Sequence, residues 1–117
     1  MVEIALEQAS EQDAALLAEI SRRAFHSDTA YGAPGEGGPP GYDSAEWQKS
    51  VIHSATAYLK ILVEGRVVGG LIAFAQGNGR YYLGRMFVDP DCHRKGIGSQ
   101  AVDLLWERFP AALKWTL

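Results

Sequence analysis

The stretch Val88-Asp89-Pro90-Asp91-Cys92-His93-Arg94-Lys95-Gly96-Ile97-Gly98-Ser99 decides the fold of this 117-residue chain. Residues 81–88, which lead into it, are rich in aromatic and β-branched types and therefore predict a strand. Pro90 ends that strand because proline cannot donate to a sheet ladder. Beyond the stretch, apolar residues recur at helical spacing, at Ile97, Ala101, Leu104 and Leu105. The sequence thus predicts a strand, a basic loop with two glycines, and a helix.

Such a loop is suited to hold an anion. The first turn of a helix carries unpaired N–H groups and a partial positive charge, and glycines such as Gly96 and Gly98 let a phosphate approach the backbone. Two other phosphate motifs are excluded. The Gly-Lys-Ser/Thr of the Walker loop is absent, and the third glycine of the Rossmann fingerprint is replaced by Ala101. A bare Gly-x-Gly is equally compatible with an ordinary turn before a helix.

Composition places the chain among small soluble domains. It is 47% hydrophobic and 21% charged, and it has no apolar run long enough to span a bilayer. No signal peptide is visible. Its single cysteine, Cys92, cannot form an internal disulfide, so the predicted compartment is the reducing cytoplasm. We interpret Cys92 as an incidental loop thiol beside basic residues.

Charge is distributed unevenly along the chain. Residues 1–64 carry ten acidic and four basic side chains, whereas residues 65–117 carry four acidic and seven basic ones, for net charges of −6 and +3. The basic half suits a phosphate-rich cofactor and the acidic half a cationic acceptor such as an amine, although ordinary solvated charge explains the asymmetry equally well. No basic stripe interleaved with aromatics predicts nucleic-acid binding, and no spacing of His, Cys or carboxylates predicts a metal site.

Hydrophobic patterning predicts the remaining elements. A first strand alternates Ile4 and Leu6 with glutamates. A helix that begins after Ser10 would bury the apolar stripe Leu17, Ile20 and Ala24. A long loop rich in glycine and proline follows. A second helix then begins at a cap near Ser44 and carries Trp47, Val51 and Ile52 on its apolar face. The other predictions are strands at 58–63, 67–75 and 112–117, a hairpin turn at 76–80, and core or interface positions for Trp106 and Trp115.

The opening stretch resembles the acetyl-CoA-binding motif of the GNAT acetyltransferase superfamily. In that family the pattern is Gln/Arg-x-x-Gly-x-Gly/Ala at the start of a helix that follows a strand. Gly96 and Gly98 match it, and His93 stands where Gln or Arg is usual. Arg94 and Lys95 keep the loop cationic.

This resemblance implies a fold class, namely an α/β (α+β) fold with a mixed, mostly antiparallel sheet flanked by helices. The implied order of elements is β-α-α-β-β-β-α-β, in a single domain over residues 1–117. Family members continue with another helix and two more strands after the fifth strand. We therefore expect a domain that is truncated at its C-terminus.

The resemblance also implies acetyl transfer from acetyl-CoA to a primary amine of a small molecule or peptide. The acceptor-side candidates are Asp28 and Tyr31, at the mouth of the long loop, and Tyr82, where some members place a glutamate base. No residue could be assigned as general acid or base. The implied cofactor contacts, with an oxyanion donor among the backbone amides of residues 86–88, are Met86, Phe87, Val88, His93, Arg94, Lys95, Gly96, Ile97, Gly98 and Ser99.

A rival interpretation is a non-catalytic acyl-CoA-binding or assembly module, that is, an inactive truncated relative. Tyr82 in place of a glutamate, and the elements expected to be missing, favour it. Turnover discriminates the two, because an enzyme releases free thiol from acetyl-CoA when an amine is present. A binder of a different phosphate ligand that shares only the loop is a third alternative.

The apolar C-terminal segment generates a prediction about assembly. Leu113, Trp115 and Leu117 would project from an uncovered edge strand, which is an arrangement that promotes association. We expect a homo-oligomer that forms through this edge, and sedimentation over a range of protein concentrations should show a dimer or larger species. A monomer at every concentration would contradict it.

Overall fold

A computed structural model describes residues 3–27, 38–92 and 96–116. The predicted order of elements, β-α-α-β-β-β-α-β, is confirmed. The described elements are β1 (Ile4–Gln8), a 3-10 turn (Glu11–Asp13), α1 (Ala14–His26), α2 (Ala45–Ser54), β2 (Ala57–Val63), β3 (Arg66–Gly77), β4 (Arg80–Val88), a second 3-10 turn (Pro90–Cys92), α3 (Ile97–Arg108) and β5 (Lys114–Thr116). None of these helices is long and apolar enough to cross a membrane.

The five strands form one sheet in the order β1-β2-β3-β4-β5. Neighbouring strands are antiparallel except for β4 and β5, which run parallel. The predicted mixed, mostly antiparallel sheet is therefore confirmed. The hairpin between β3 and β4 turns at Asn78 and Gly79, whose φ values of 54° and 75° suit a tight turn between antiparallel strands.

Two hydrophobic cores cover the two faces of the sheet. On one face α3 packs its buried residues Ile97, Ala101 and Leu105 against the strands, and on the other face α1 and α2 pack. The predicted stripe of α1 is confirmed, since Leu17, Ile20 and Ala24 are all buried. A sheet covered on both faces explains why the middle of β3 is almost wholly apolar.

Both helices on the second face begin at predicted caps. The Ser10 backbone N–H donates to the Asp13 carboxylate at 2.9 Å ahead of α1, and the Ser44 hydroxyl accepts from the Trp47 N–H at 3.1 Å at the start of α2. Each bond satisfies a backbone donor that the first helical turn leaves without an intrahelical partner. Ser44 therefore defines the start of α2, and Ser10 defines the start of the 3-10 turn that leads into α1.

A β-bulge interrupts β4 at Gly84. Ile72 of β3 lies opposite Arg85, and the next residue, Ala73, lies opposite Leu83, so that Gly84 is an extra residue on β4. Strict alternation would put Tyr82 and Arg85 on opposite faces of the sheet. Because of the bulge, both side chains lie on the face that α1 and α2 cover.

The predictions for the C-terminal aromatics are partly wrong. Trp106 is nearly half exposed and is therefore not a core residue, and an interface position for it stays a prediction. Trp115 does not project from an uncovered strand, because its ring stacks on Tyr81 at 5.1 Å and also contacts Phe109. Leu113 is 83% exposed, as expected. The fifth strand, at Lys114–Thr116, is shorter than the predicted 112–117, because residues 110–113 form a turn and a bend.

Two adjacent leucines of α1 test the packing of that helix. Leu17 is completely buried, whereas Leu16 is 47% exposed. We expect Leu17→Ala to lower the free energy of unfolding by about 2–5 kcal/mol, because it leaves a cavity in the core. Leu16→Ala is the matched control and should cost less than about 1 kcal/mol, since it removes little buried surface. Urea unfolding measures both, and equal losses would contradict the described packing.

Candidate functional site

The two edges of β4 are paired to different extents. Its pairing with β3 extends from Arg80 to Val88, whereas β5 pairs only with Arg80, Tyr81 and Tyr82. Beyond Tyr82, no strand within the described ranges pairs with the other edge over residues 83–87. Backbone N–H and C=O groups at such an edge can bond an extended ligand in the way that an added strand would.

A cavity of about 440 Å³ lies beside the end of β4. The end of α1, the end of β4, the second 3-10 turn and the first turn of α3 form its wall. The lining residues are Ala24, Phe25, Met86, Phe87, Val88, Cys92, Gly96, Ile97, Gly98 and Ser99.

Seven of the ten predicted cofactor contacts meet around this cavity. They come from two segments separated by the loop, residues 86–88 and 96–99, and the fold brings these segments together. The other three, His93, Arg94 and Lys95, lie outside the described residues. The structure thus places these seven predicted contacts in one site, and their binding of a cofactor stays a prediction.

The first turn of α3 provides an anion-binding geometry. Gly96 is the N-cap residue and adopts a left-handed conformation, with φ of 72°, which glycine reaches without a steric penalty. The backbone N–H groups of residues 97–99 have no acceptor within the helix and lie at the cavity wall. A Cβ placed on Gly98 would touch only the Met86 methyl, at 3.5 Å, so protein packing does not require glycine there. The missing side chain instead leaves room on the cavity side.

An ion pair joins two walls of the cavity. The guanidinium of Arg23, in α1, binds the Asp89 carboxylate through two hydrogen bonds of 3.2 and 2.9 Å. Asp89 also accepts from the Asp91 N–H at 3.0 Å. The pair therefore ties the last turns of α1 to the loop that leaves β4. Sequence analysis missed it because nothing local relates residues 66 positions apart.

Cys92 lies in the second 3-10 turn and is buried. It is 4% exposed and belongs to the core beneath α3 and to the cavity wall. The Arg66 guanidinium lies 3.8 Å from its sulphur. The short helical turn that follows Pro90 brings the side chain inward, and a composition argument could not detect this.

Of the acceptor-side candidates, only Tyr82 can be placed. It lies on the face of the sheet that carries α1 and α2, is 36% exposed, and stacks on Phe74 with ring centres 6.4 Å apart. Asp28 and Tyr31 lie outside the described residues. Whether these three side chains form one acceptor site stays a prediction.

Arg85 is a site residue that the sequence analysis missed. Its guanidinium carbon lies 4.3 Å from the centre of the Trp47 ring. Its Nη1 is buried and has no hydrogen-bond partner in the part of the chain that the structure describes. Burial lowers the pKa of Arg85, while attraction to Tyr58 and Tyr82 acts in the opposite direction. Gly84 lies inside a strand pattern, and a glycine in that position is a signal for a bulge. That signal could have indicated the face of the sheet to which the Arg85 side chain points.

Below Arg85 lies a buried polar contact between α2 and β2. The Tyr58 hydroxyl donates to the side-chain oxygen of Gln48, and both residues are completely buried. Burial raises the pKa of Tyr58, so the phenol stays protonated. The apolar stripe predicted for α2 is confirmed, because Ile52 is buried and Trp47 and Val51 pack against the same core. Gln48 is buried as well, because the helix turns it toward the Tyr58 hydroxyl.

The comparison with protein families decides the classification. The model of the acetyltransferase (GNAT) family matches residues 15–115. The chain belongs to the GNAT family. No curated protein sequence matched the chain.

Solved GNAT structures share its fold. PaiA N-acetyltransferase from Thermoplasma acidophilum, in complex with coenzyme A, has a TM-score of 0.73 at 16% identity over 92% of this chain and 72% of its own. Ribosomal-protein-alanine N-acetyltransferase from Brucella melitensis biovar Abortus 2308 has a TM-score of 0.68 at 21% identity. The match covers 100% of this chain and 79% of that protein. An aminoglycoside acetyltransferase from an uncultured soil metagenomic sample, in complex with sisomicin, has a TM-score of 0.63 at 16% identity. The match covers 96% of this chain and 74% of that protein.

Gly98→Glu tests the cavity directly. The carboxylate would enter the space beside the amides of α3 and repel a phosphate, so we expect coenzyme A affinity to fall at least about 100-fold, or about 2.8 kcal/mol. Gly98→Ala is the control, because its methyl group fits at ordinary contact distance and adds no charge. Calorimetric titration with coenzyme A compares the two. Unchanged affinity in a cooperatively folded Gly98→Glu protein would refute the assignment.

Proposed function

We propose that this protein is an N-acetyltransferase that moves the acetyl group of acetyl-CoA to a primary amine of a small molecule or peptide. The observation that carries the proposal is the cavity between the partly unpaired edge of β4 and the N-terminus of α3. An extended amide-containing chain suits the first wall and a phosphate suits the second. Membership of the GNAT family supports the same reaction class.

The residues of the cavity fit coenzyme A. The amides of residues 97–99 would hold the pyrophosphate, with Gly96 and Gly98 allowing close approach, and the backbone of residues 86–88 would bond the pantetheine arm. The bound cofactor would supply an acetyl thioester. The crystal structure of PaiA N-acetyltransferase, which shares the fold, contains coenzyme A.

The protein's contribution to the reaction is mainly orientation. The overall change replaces a C–S bond by a C–N bond, and the proton that leaves the amine ends on sulphur. A backbone N–H of residues 86–88 would stabilise the negative charge that develops on the carbonyl oxygen. Holding the amine against the carbonyl carbon removes the entropic cost of an encounter between two molecules.

One observation favours the alternative of a non-catalytic acyl-CoA-binding module. Tyr82, which occupies the strand position where the resemblance places a glutamate base, is a phenol that stacks on Phe74. Phenols are weak bases near neutral pH. An enzyme would therefore take the amine in its neutral form or pass its proton to an ordered water.

For the acceptor we propose only a chemical class, whereas for the cofactor we propose a particular molecule. Neighbours with the same fold carry names that specify a ribosomal-protein alanine and aminoglycosides, and both are amine acceptors. We propose an amine acceptor for this chain on that basis. We likewise propose, without a direct observation, a cytoplasmic location and assembly into a homo-oligomer.

Thermal unfolding with acetyl-CoA is the first measurement. Ligand at about 100 times its dissociation constant should stabilise the folded protein by roughly 2.7 kcal/mol, which is a shift of about 10 °C for a domain of this size. The Gly98→Glu protein should shift by no more than about 2 °C, because a 100-fold loss of affinity leaves at most roughly 0.4 kcal/mol of stabilisation at the same ligand concentration. In a second assay, release of free thiol from acetyl-CoA should increase when amines are added.

The outcomes separate the two candidate functions. A shift with amine-dependent thiol release supports the transferase. A shift without release, over a broad panel of amines, supports the binding module. Absence of a shift in a cooperatively unfolding sample contradicts both.

A further inference from the structure

Arg85 is a cation for which the described residues offer no counter-ion. Its guanidinium offers five N–H donors, and none of them has an acceptor among the residues that the structure describes, with Nη1 buried away from water as well. Tyr58 and Tyr82 are the titratable groups that act on it there, and neither is a carboxylate. Arg85 thus differs from Arg22 and Arg23, each of which has a carboxylate partner.

An arrangement of this kind is unfavourable for the protein alone. A half-buried charge loses hydration, and a buried donor without an acceptor costs about 1–3 kcal/mol. No packing requirement explains the charge, because an apolar side chain of similar length could lie on Trp47 without this cost. A ligand that brings an anion would remove the cost.

The guanidinium is held in position by a built environment. The Trp47 ring supports one of its faces. That ring is itself fixed, because the Ser44 cap holds the Trp47 backbone and the ring packs so closely on Gly41 that a Cβ there would come within 2.1 Å of it. A planar guanidinium with a fixed orientation is suited to bidentate recognition of a carboxylate.

The position of Arg85 relates it to the transfer site. It directly precedes Met86, which lines the cofactor cavity, and neighbouring residues of a strand are about 3.3 Å apart. The bulge at Gly84 directs its side chain to the α1 and α2 face, beside Tyr82. A group bound by Arg85 would therefore lie across the sheet from the side chain of Met86, next to the edge of β4 that β5 leaves unpaired.

We propose that Arg85 binds a carboxylate of the acceptor, so that the acceptor is an amine that also carries a carboxylate. This inference rests on the proposed acetyltransferase function and names its substrate class. The carboxylate could belong to a free amino acid or to an acidic side chain near a peptide N-terminus. Polycationic acceptors such as aminoglycosides would be disfavoured, because they bring like charge to an already unpaired cation.

Matched acceptor pairs test the proposal. Free thiol release is measured with each proteinogenic L-amino acid and with its carboxamide, which has the same amine without the anion. Short peptides that begin Ala-Asp or Ala-Asn distinguish a side-chain carboxylate from a free α-carboxylate, and spermidine and sisomicin represent polycations. We expect the best carboxylate to exceed its amide at least tenfold in kcat/KM, with most of the difference in KM.

Variants of Arg85 assign that preference to the residue. Arg85→Gln should reduce the carboxylate-to-amide ratio to about one, and Arg85→Lys should retain part of it, since it keeps the charge but loses the bidentate geometry. Arg80→Gln is the matched control, because Arg80 is an exposed arginine of the same strand, and it should keep the full ratio. Arg85→Gln should leave the unfolding temperature unchanged or higher, because it removes an unpaired charge.

A binding measurement gives a readout without turnover. In the presence of coenzyme A, calorimetric titration compares N-acetyl amino acids with their amides, which are matched product pairs. Tighter binding of the acids by the original protein, lost in Arg85→Gln, supports the proposal. Equal binding or equal turnover of acids and amides overturns it, as does turnover confined to polycations. Failure of the transferase itself is recognised separately, by an absent thermal shift with acetyl-CoA.

Discussion

The one-sided pairing of β4 is the constraint on which the rest of the site depends. β3 bonds this strand along its whole length and makes it a fixed part of the sheet, whereas the described part of β5 pairs with it only over Arg80–Tyr82. A strand that is rigid but open at one edge presents backbone donors and acceptors at fixed positions. The cavity lies beside the end of this strand, where the sheet offers no further strand among the described residues.

Polar contacts from different elements hold the walls of the cavity around that edge. The Arg23–Asp89 pair ties α1 to the loop after β4, and the left-handed Gly96 directs the first turn of α3 toward the same space. The amides of the first turn of α3 place positive potential near the cavity, whereas the Arg23 guanidinium is neutralised by Asp89. Arg85, which has no carboxylate partner among the described residues, lies on the other face of the sheet. The two anion-attracting groups are thus separated by β4 itself.

The face of the sheet that carries Arg85 is less completely satisfied than the α3 face. Ser21 Oγ, Gln48 Nε2 and Arg85 Nη1 are all buried without a hydrogen-bond partner among the described residues, and all belong to elements that pack on this face. Orphaned polar groups lower stability, and proteins retain them where function requires them. The α3 face, in contrast, is a continuous apolar core from Leu59 to Leu105.

The sequence alone determined the order of elements, the starts of the helices and the glycine-bearing loop, because alternation, capping residues such as Ser44 and turn residues such as Gly79 act over a few neighbouring positions. It also identified the two segments that line the cavity. Only the tertiary structure decided which residues from different elements contact one another. The Arg23–Asp89 pair, the burial of Cys92 and the contact of Gln48 with Tyr58 all join residues whose proximity depends on packing. Arg85 is the clearest case, since one extra residue at Gly84 reverses the face to which a strand side chain points, and that choice is made by the pairing of β4 with β3.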